Sequence, residues 1–222
     1  MKIENVKACV FDAYGTLFDV NSAAAKCKEK LGSRWEGFAN AWRTTQLEYT
    51  WLRSLMKKHK NFWEITEDSL DHTMETFKIK KEMRNELLDL YKKLSPYPEV
   101  KECLEGLKTK KIKTAILSNG TPDLLKGLVE SNNIQNYFDD IFSIEYVGIY
   151  KPDSRVYEMP IKKYDCKPEN ICFMSSNTWD VSGGGVFGYN AVWVNRFNKV
   201  FDKLNYKPKF VINNLKELLK II

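Results

Sequence analysis

The chain has 222 residues, of which 43% are hydrophobic and 29% charged, enough for one α/β domain with a sizeable insert. Its net charge of +6 comes from scattered lysines rather than a basic stripe, which argues against nucleic-acid binding, and no apolar run is long enough to cross a bilayer. Five cysteines without CxxC spacing (Cys9, Cys27, Cys103, Cys166, Cys172) and two isolated histidines, His59 and His72, argue against a disulfide framework and a zinc site.

Residues 1–5 lack the apolar stretch of a signal peptide, so a cytoplasmic protein is expected. An apolar run from about Val6 ends in Val10-Phe11-Asp12-Ala13-Tyr14-Gly15-Thr16, a buried strand followed by a tight turn. In open α/β sheets the ligand crevice lies outside the carboxyl ends of the strands. Asp12 stands at such an end, as either a helix cap or a reagent.

Helical periods follow. Asn21-Ser22 can cap a helix running toward Leu31-Gly32. Over residues 34–58, Trp35, Phe38, Trp42, Tyr49, Leu52 and Met56 form one stripe of a long amphipathic helix. A helix from about Thr66 carries Leu70, Met74 and Phe77, and one over 82–94 carries Met83, Leu87, Leu90 and Tyr91. Ser95-Pro96-Tyr97-Pro98 stops it. Residues 19–96 therefore read as an all-helical insert, and 1–18 with 97–222 as a core.

Strand and helix then alternate. A helix over 99–110 precedes a strand over 112–118, and Thr121-Pro122 starts the next helix. Further strands are expected at 141–144, 171–175, 191–194 and 210–212, with a closing helix over 213–222. Lys151-Pro152-Asp153 leads into a helix containing Tyr157, which Pro160 should kink or shorten. The pattern predicts an α/β fold, a Rossmann-like parallel sheet with helices on both faces. The helical insert leaves just after the first strand and so stands above the crevice as a cap.

Polar groups fall at four strand ends: Asp12, then Ser118 with Asn119, then Lys151, then Ser175, Asn177 and Asp180. Singly, Ser118 and Asn119 could be turn formers, Lys151 a solvated cation and Asp180 a helix cap. Their convergence on one sheet edge points to chemistry.

At these residues the chain resembles the haloacid dehalogenase superfamily. That group has a nucleophilic Asp after strand one, Ser/Thr after strand two, Lys after strand three and acids after strand four. More narrowly, it is similar to the (S)-2-haloacid dehalogenases in Phe11-Asp12-Ala13-Tyr14-Gly15-Thr16-Leu17, in Trp42-Arg43 and in residues 46–56. The likeness continues in Leu117-Ser118-Asn119-Gly120, in residues 151–157 and in Ser175-Ser176-Asn177-Thr178-Trp179-Asp180. The resemblance implies hydrolysis of small 2-haloacids through an aspartyl ester, without metal or cofactor, and a homodimer through the cap helices.

It implies Asp12 as nucleophile, Lys151 keeping it ionised, and Asp180 with Asn177 positioning water. Thr16, Tyr157 and Ser175 are implied as supporting groups. Ser118, Asn119 and the backbone at Ala13 and Tyr14 would hold the substrate carboxylate. Arg43, read without the resemblance as a surface arginine, would attract the halide. Tyr14, Leu47, Phe62 and Trp179 would wall an apolar pocket, although aromatics at such spacing also serve as plain core. Tyr14 and Ser176 stand where phosphatases of the superfamily carry a second Asp and a Mg²⁺ ligand. A Mg²⁺-dependent phosphatase and a non-catalytic small-carboxylate binder are the competing readings. Thr44 in place of Gln, Pro160, and Gly183-Gly184-Gly185, which should loosen the start of a helix usually richer in alanine, depart from the family pattern.

Overall fold

The computed structural model describes residues 2–222. Its centre is the strand β1, Ala8–Phe11, whose four residues are all buried. Five more strands complete a parallel sheet: β2 (Lys113–Ser118), β3 (Asp140–Ser143), β4 (Ile171–Ser175), β5 (Asn190–Val194) and β6 (Phe210–Ile212). The order is β3-β2-β1-β4-β5-β6, so the chain direction across the sheet reverses between β1 and β4. Crevices form at such switch points. Register sets Phe11 opposite both Ile116 and Met174. Asp12 therefore projects from the carboxyl edge between the ends of β2 and β4.

Six helices lie between β1 and β2 in the chain, and the first five are α1 (Ser22–Lys26), α2 (Lys28–Leu31), α3 (Trp35–Leu55), α4 (Phe62–Phe77) and α5 (Met83–Tyr91). These five form the cap. Phe38, Trp42 and Phe77 close the α3–α4 interface, with ring centroids of Phe38 and Phe77 5.8 Å apart. The neck of the cap is hydrogen-bonded to itself: Asp19 N–H donates to the Ser95 carbonyl at 2.9 Å and Tyr97 N–H to the Leu17 carbonyl at 3.0 Å. Helices α6 (Val100–Thr109), α7 (Pro122–Ser131), α8 (Ser154–Tyr164), α9 (Thr178–Phe187) and α10 (Leu218–Ile221) follow.

Four local expectations are corrected. Helix α4 begins at Phe62, not Thr66, because Asn61 and Glu64 form a capping box: the Asn61 side chain accepts Glu64 N–H at 3.0 Å and Glu64 accepts Asn61 N–H at 3.2 Å. The apolar period begins later than the cap that starts the helix. The helix expected over 22–31 breaks at Cys27, where φ is −100° and ψ 11°. The closing helix shrinks to a 3₁₀ turn at Leu215–Glu217 and the single turn of α10. Asn213 and Asn214 precede that turn, and Asn214 caps it by accepting Lys216 N–H. Finally, α8 runs through Pro160 to Tyr164; the ring is buried, which offsets the lost donor.

The glycine run does not loosen α9 as a helix. A Cβ at Gly183 would lie 2.6 Å from the Tyr157 hydroxyl, and one at Gly185 would lie 2.1 Å from the Tyr206 ring. The bare backbone lets α9 press against α8 and against the segment carrying Tyr206.

Candidate active site

The turn after β1 is built for close approach. Gly15 takes φ +90°, a conformation open to glycine, and the Ala13 carbonyl accepts N–H groups from Leu17 and Phe18 at 2.9 and 3.0 Å. Among the described residues, no acceptor takes the amides of Ala13 and Tyr14. They remain available to an anion.

The two oxygens of Asp12 differ. Oδ2 accepts from Thr16 Oγ1 and Asn177 Nδ2, both at 2.9 Å, and from Ser175 Oγ at 3.5 Å. Thr16 Oγ1 itself accepts Ser176 N–H at 2.8 Å, so its proton is free to face Asp12. Oδ1 meets only Lys151 Nζ, at 3.4 Å. One oxygen is anchored and the other is left to react.

Lys151 is 1% exposed and bridges two acids, reaching Asp180 Oδ2 at 2.9 Å. Its backbone N–H donates to Asn119 Oδ1 at 3.2 Å, which ties the end of β2 to the cation. Tyr157 donates to the other Asp180 oxygen at 2.7 Å. Burial pushes the Asp180 carboxyl up to about 6, against the opposing pull of Lys151, with the Asp12 charge adding to the rise. Burial and the Asp180 charge hold the Tyr157 phenol well above its ordinary range, so it stays a donor.

The structure thus brings together Asp12, Thr16, Lys151, Tyr157, Ser175, Asn177 and Asp180. Ser118 is buried at the end of β2, and its hydroxyl accepts Gly120 N–H at 3.1 Å. From the cap, Arg43 Nη2 approaches the Tyr14 carbonyl at 3.5 Å, which also accepts Asn177 Nδ2 at 3.1 Å. Phe62 and Tyr91 pack on the Tyr14 ring at 5.0 and 5.8 Å. Leu47 and Arg43 line a cleft of about 430 Å³ with Tyr97, Ser176, Asn177 and Arg196. Asp12, Tyr14, Phe62 and Trp179 are not among its lining residues. Trp179 packs edge-on against Trp51 of α3 at 5.4 Å and lines a neighbouring cavity with Pro152, Tyr157 and Gly183.

Two residues at the site escaped the sequence reading. Arg196, from the loop after β5, donates to the Thr16 carbonyl at 2.8 Å and pairs with Glu99. No motif marks it, because only the fold brings that loop to the Asp12 turn. Gln46 accepts from Arg43 Nη1 at 2.8 Å. Its position three residues after Arg43, on the same helical face, was the available signal.

The family model for haloacid dehalogenase-like hydrolases matches residues 6–188. Among curated proteins, (S)-2-haloacid dehalogenase 1 of Pseudomonas sp. (strain CBS-3) is 40% identical over 99% of this chain and 98% of its own length. Haloacetate dehalogenase H-2 of Moraxella sp. (strain B) is 33% identical over 99% of each chain. Among solved structures, L-2-haloacid dehalogenase from Xanthobacter autotrophicus with chloropropionic acid covalently bound superposes with a TM-score of 0.90. It shares 32% identity, over 97% of both chains.

Proposed function

The chain belongs to the haloacid dehalogenase-like hydrolase family, and from that premise we propose that it hydrolyses (S)-2-haloalkanoic acids to (R)-2-hydroxyalkanoic acids through an ester on Asp12. The observation that carries this reading is the asymmetry of the Asp12 carboxylate. Three donors fix Oδ2, while Oδ1 stands free beside a buried cation. A carboxylate held this way is aimed as a nucleophile.

Oδ1 attacks C2 in line, the halide leaves with the bonding pair, and C2 inverts. The substrate carboxylate lies on the free amides of Ala13 and Tyr14 and on Ser118 and Asn119. Arg43 draws the halide, and Tyr14, Leu47 and Phe62 exclude water around the reacting carbon. Trp179, edge-on to Trp51 of α3, extends that wall from α9. Water then attacks Cγ of Asp12, directed by Asp180 and Asn177, with Lys151 balancing charge; the Cγ–O bond to the substrate breaks, its oxygen takes up the proton that Asp180 removed from the water, and the (R)-2-hydroxy acid leaves as Asp12 returns to a carboxylate. At neutral pH the Asp180 carboxyl, up at about 6, is mostly ionised and close enough in basicity to take a proton from that water. A halide leaves without a proton, so Tyr14 in place of an acid is no handicap.

We propose residues 1–18 and 97–222 as the core domain and 19–96 as the cap domain, divided at the hydrogen-bonded neck. The cytoplasmic placement rests on five free thiols, four of them buried as small apolar residues. A homodimer through the cap is supported by Leu52, Leu55 and Met56, exposed at and just beyond the end of α3. Light scattering should give twice the chain mass, and a monomer at micromolar concentration would remove the dimer from the proposal.

The function itself is tested by halide release from each enantiomer of 2-chloropropionate in excess chelator. The (S) form should be consumed to (R)-lactate and the (R) form left intact. Cleavage of phosphomonoesters that stops with chelator and returns with Mg²⁺ would favour the phosphatase instead.

A further inference from the structure

Gln46 is a 1% exposed amide in the middle of the cap, and all of its hydrogen-bonding positions are engaged. Nε2 donates to Thr66 Oγ1 at 2.7 Å and to the Tyr91 hydroxyl at 3.0 Å, while Oε1 accepts from Arg43 Nη1 at 2.8 Å. One carboxamide therefore joins α3, α4 and α5.

The direction of this network is fixed by the backbone. The Thr66 hydroxyl donates to the Phe62 carbonyl at 2.7 Å, one turn earlier in α4. With that proton committed, Thr66 Oγ1 serves Gln46 as an acceptor. The nitrogen end of the amide must then face Thr66, and the oxygen end must face Arg43. Trp42 Nε1 donates to the Thr66 carbonyl at 3.1 Å and holds the same turn in place.

The outlet of the network is the Arg43 guanidinium, whose other nitrogen reaches across to the Tyr14 carbonyl. Arginine on a half-exposed helix face samples many rotamers, and holding one of them costs entropy. A neutral acceptor can fix it without cancelling its charge. A carboxylate at this place would fix it too, but would neutralise the cation just where negative charge must be received.

We propose that Gln46 is a positioning residue that holds the Arg43 guanidinium, still positive, toward the departing halide. This inference rests on the halide role given above to Arg43. The preorganised cation acts only as charge grows on the leaving group, so its loss should slow the first step and barely change substrate binding.

The test is single-turnover halide release, with enzyme in excess, for wild type, Gln46→Leu, Gln46→Glu, Arg43→Ala and the Gln46→Leu/Arg43→Ala double variant. Substrates are (S)-2-chloropropionate and (S)-2-iodopropionate. Gln46→Glu keeps the shape of the side chain but turns the donors to Thr66 and Tyr91 into acceptors, so each variant is first shown by circular dichroism and thermal unfolding to be folded at the assay temperature. Both Gln46 variants should release chloride roughly tenfold more slowly with KM within about threefold of wild type. The loss should be smaller for iodide, whose diffuse charge needs the cation less. The double variant should be no slower than Arg43→Ala alone, since Gln46 acts only through Arg43. Losses that multiply in the double variant, equal losses for both halides, or unaltered rates in both Gln46 variants would each overturn the inference while leaving Arg43 in its role. An Arg43→Ala protein with wild-type release would instead remove that role, and Gln46 with it.

Discussion

Asp12→Asn should lower turnover by roughly 10⁴-fold or more, because it removes the only group able to form the ester. The fold should survive. An amide keeps the shape of the carboxylate, and its oxygen can keep the bonds from Thr16 and Asn177 on the anchored side. Its nitrogen then faces Lys151, two donors in mild conflict, but Lys151 retains Asp180 at 2.9 Å. The buried cluster of two carboxylates and one ammonium carries an unbalanced negative charge in the native protein. The substitution removes that charge, so the thermal midpoint should stay level or rise. Such a trade between stability and activity is common where catalysis demands a strained charge arrangement. Retained turnover in freshly prepared protein, with deamidation excluded by mass spectrometry, would remove Asp12 from the centre of the chemistry.

Lys151→Met should bring the second-largest loss, and it should damage stability as well. The side chain is 1% exposed and is the cation shared by Asp12 and Asp180. Replacing it with an apolar chain of similar length leaves two buried carboxylates facing each other. Breaking a buried pair in this way costs about 3–5 kcal/mol. Part of that penalty is relieved when a carboxyl takes up a proton. Lys151 lowers the Asp180 carboxyl in the native site, so its removal lifts that group above its present value of about 6. A protonated Asp180 can no longer take a proton from the water that opens the ester. Turnover at neutral pH should fall roughly a thousandfold, the scale of losing a preorganised charge in a water-poor site. The residual rate should climb as pH is raised, because alkali restores the Asp180 carboxylate. Thermal unfolding and a pH–rate profile check both parts. A variant that is merely less stable, with kcat within roughly tenfold of wild type, would show Lys151 to be scaffold.

Much of the core was legible because the chemistry needs its groups at strand ends, and strand ends are marked in sequence by an apolar run meeting a turn. Asp12, Ser118 with Asn119, and Ser175 with Asn177 stand out in this way, and the parallel sheet follows from the alternation. Lys151 and Asp180 follow by the same logic, one in the loop after β3 and the other in the first turn of α9 after β4. The cap was legible as helices, since Trp35, Phe38, Trp42 and Tyr49 keep one stripe, yet its starts were not. Asn61 lies before the apolar stripe of α4 and begins the helix through a reciprocal pair of hydrogen bonds that periodicity does not register. Trp179 neighbours Asp180 in sequence, and its contact with Trp51 of α3 is a feature that only the fold supplies. Arg196 shows the limit of motif reasoning. Nothing around it in sequence suggests a role, and only the return of the loop after β5 brings it to the Thr16 carbonyl. The glycine run misled for a related reason: helix propensity counts the entropy of Gly183 and Gly185 but not the aromatic rings that need the space.

The central claim is that Asp12 attacks carbon rather than activating water to do so. Both routes need Asp12, both invert C2, and both give the (R)-hydroxy acid, so neither mutation nor stereochemistry separates them. The position of the oxygen does. In a single turnover in ¹⁸O-water with enzyme in excess, the account predicts label in the peptide containing Asp12 and an unlabelled hydroxyl in the product, because water enters at Cγ of Asp12 and the product takes its oxygen from the carboxylate. Label in the first-turnover product, with none in Asp12, would mean that water attacked C2 directly and would contradict the roles assigned to both Asp12 and Asp180.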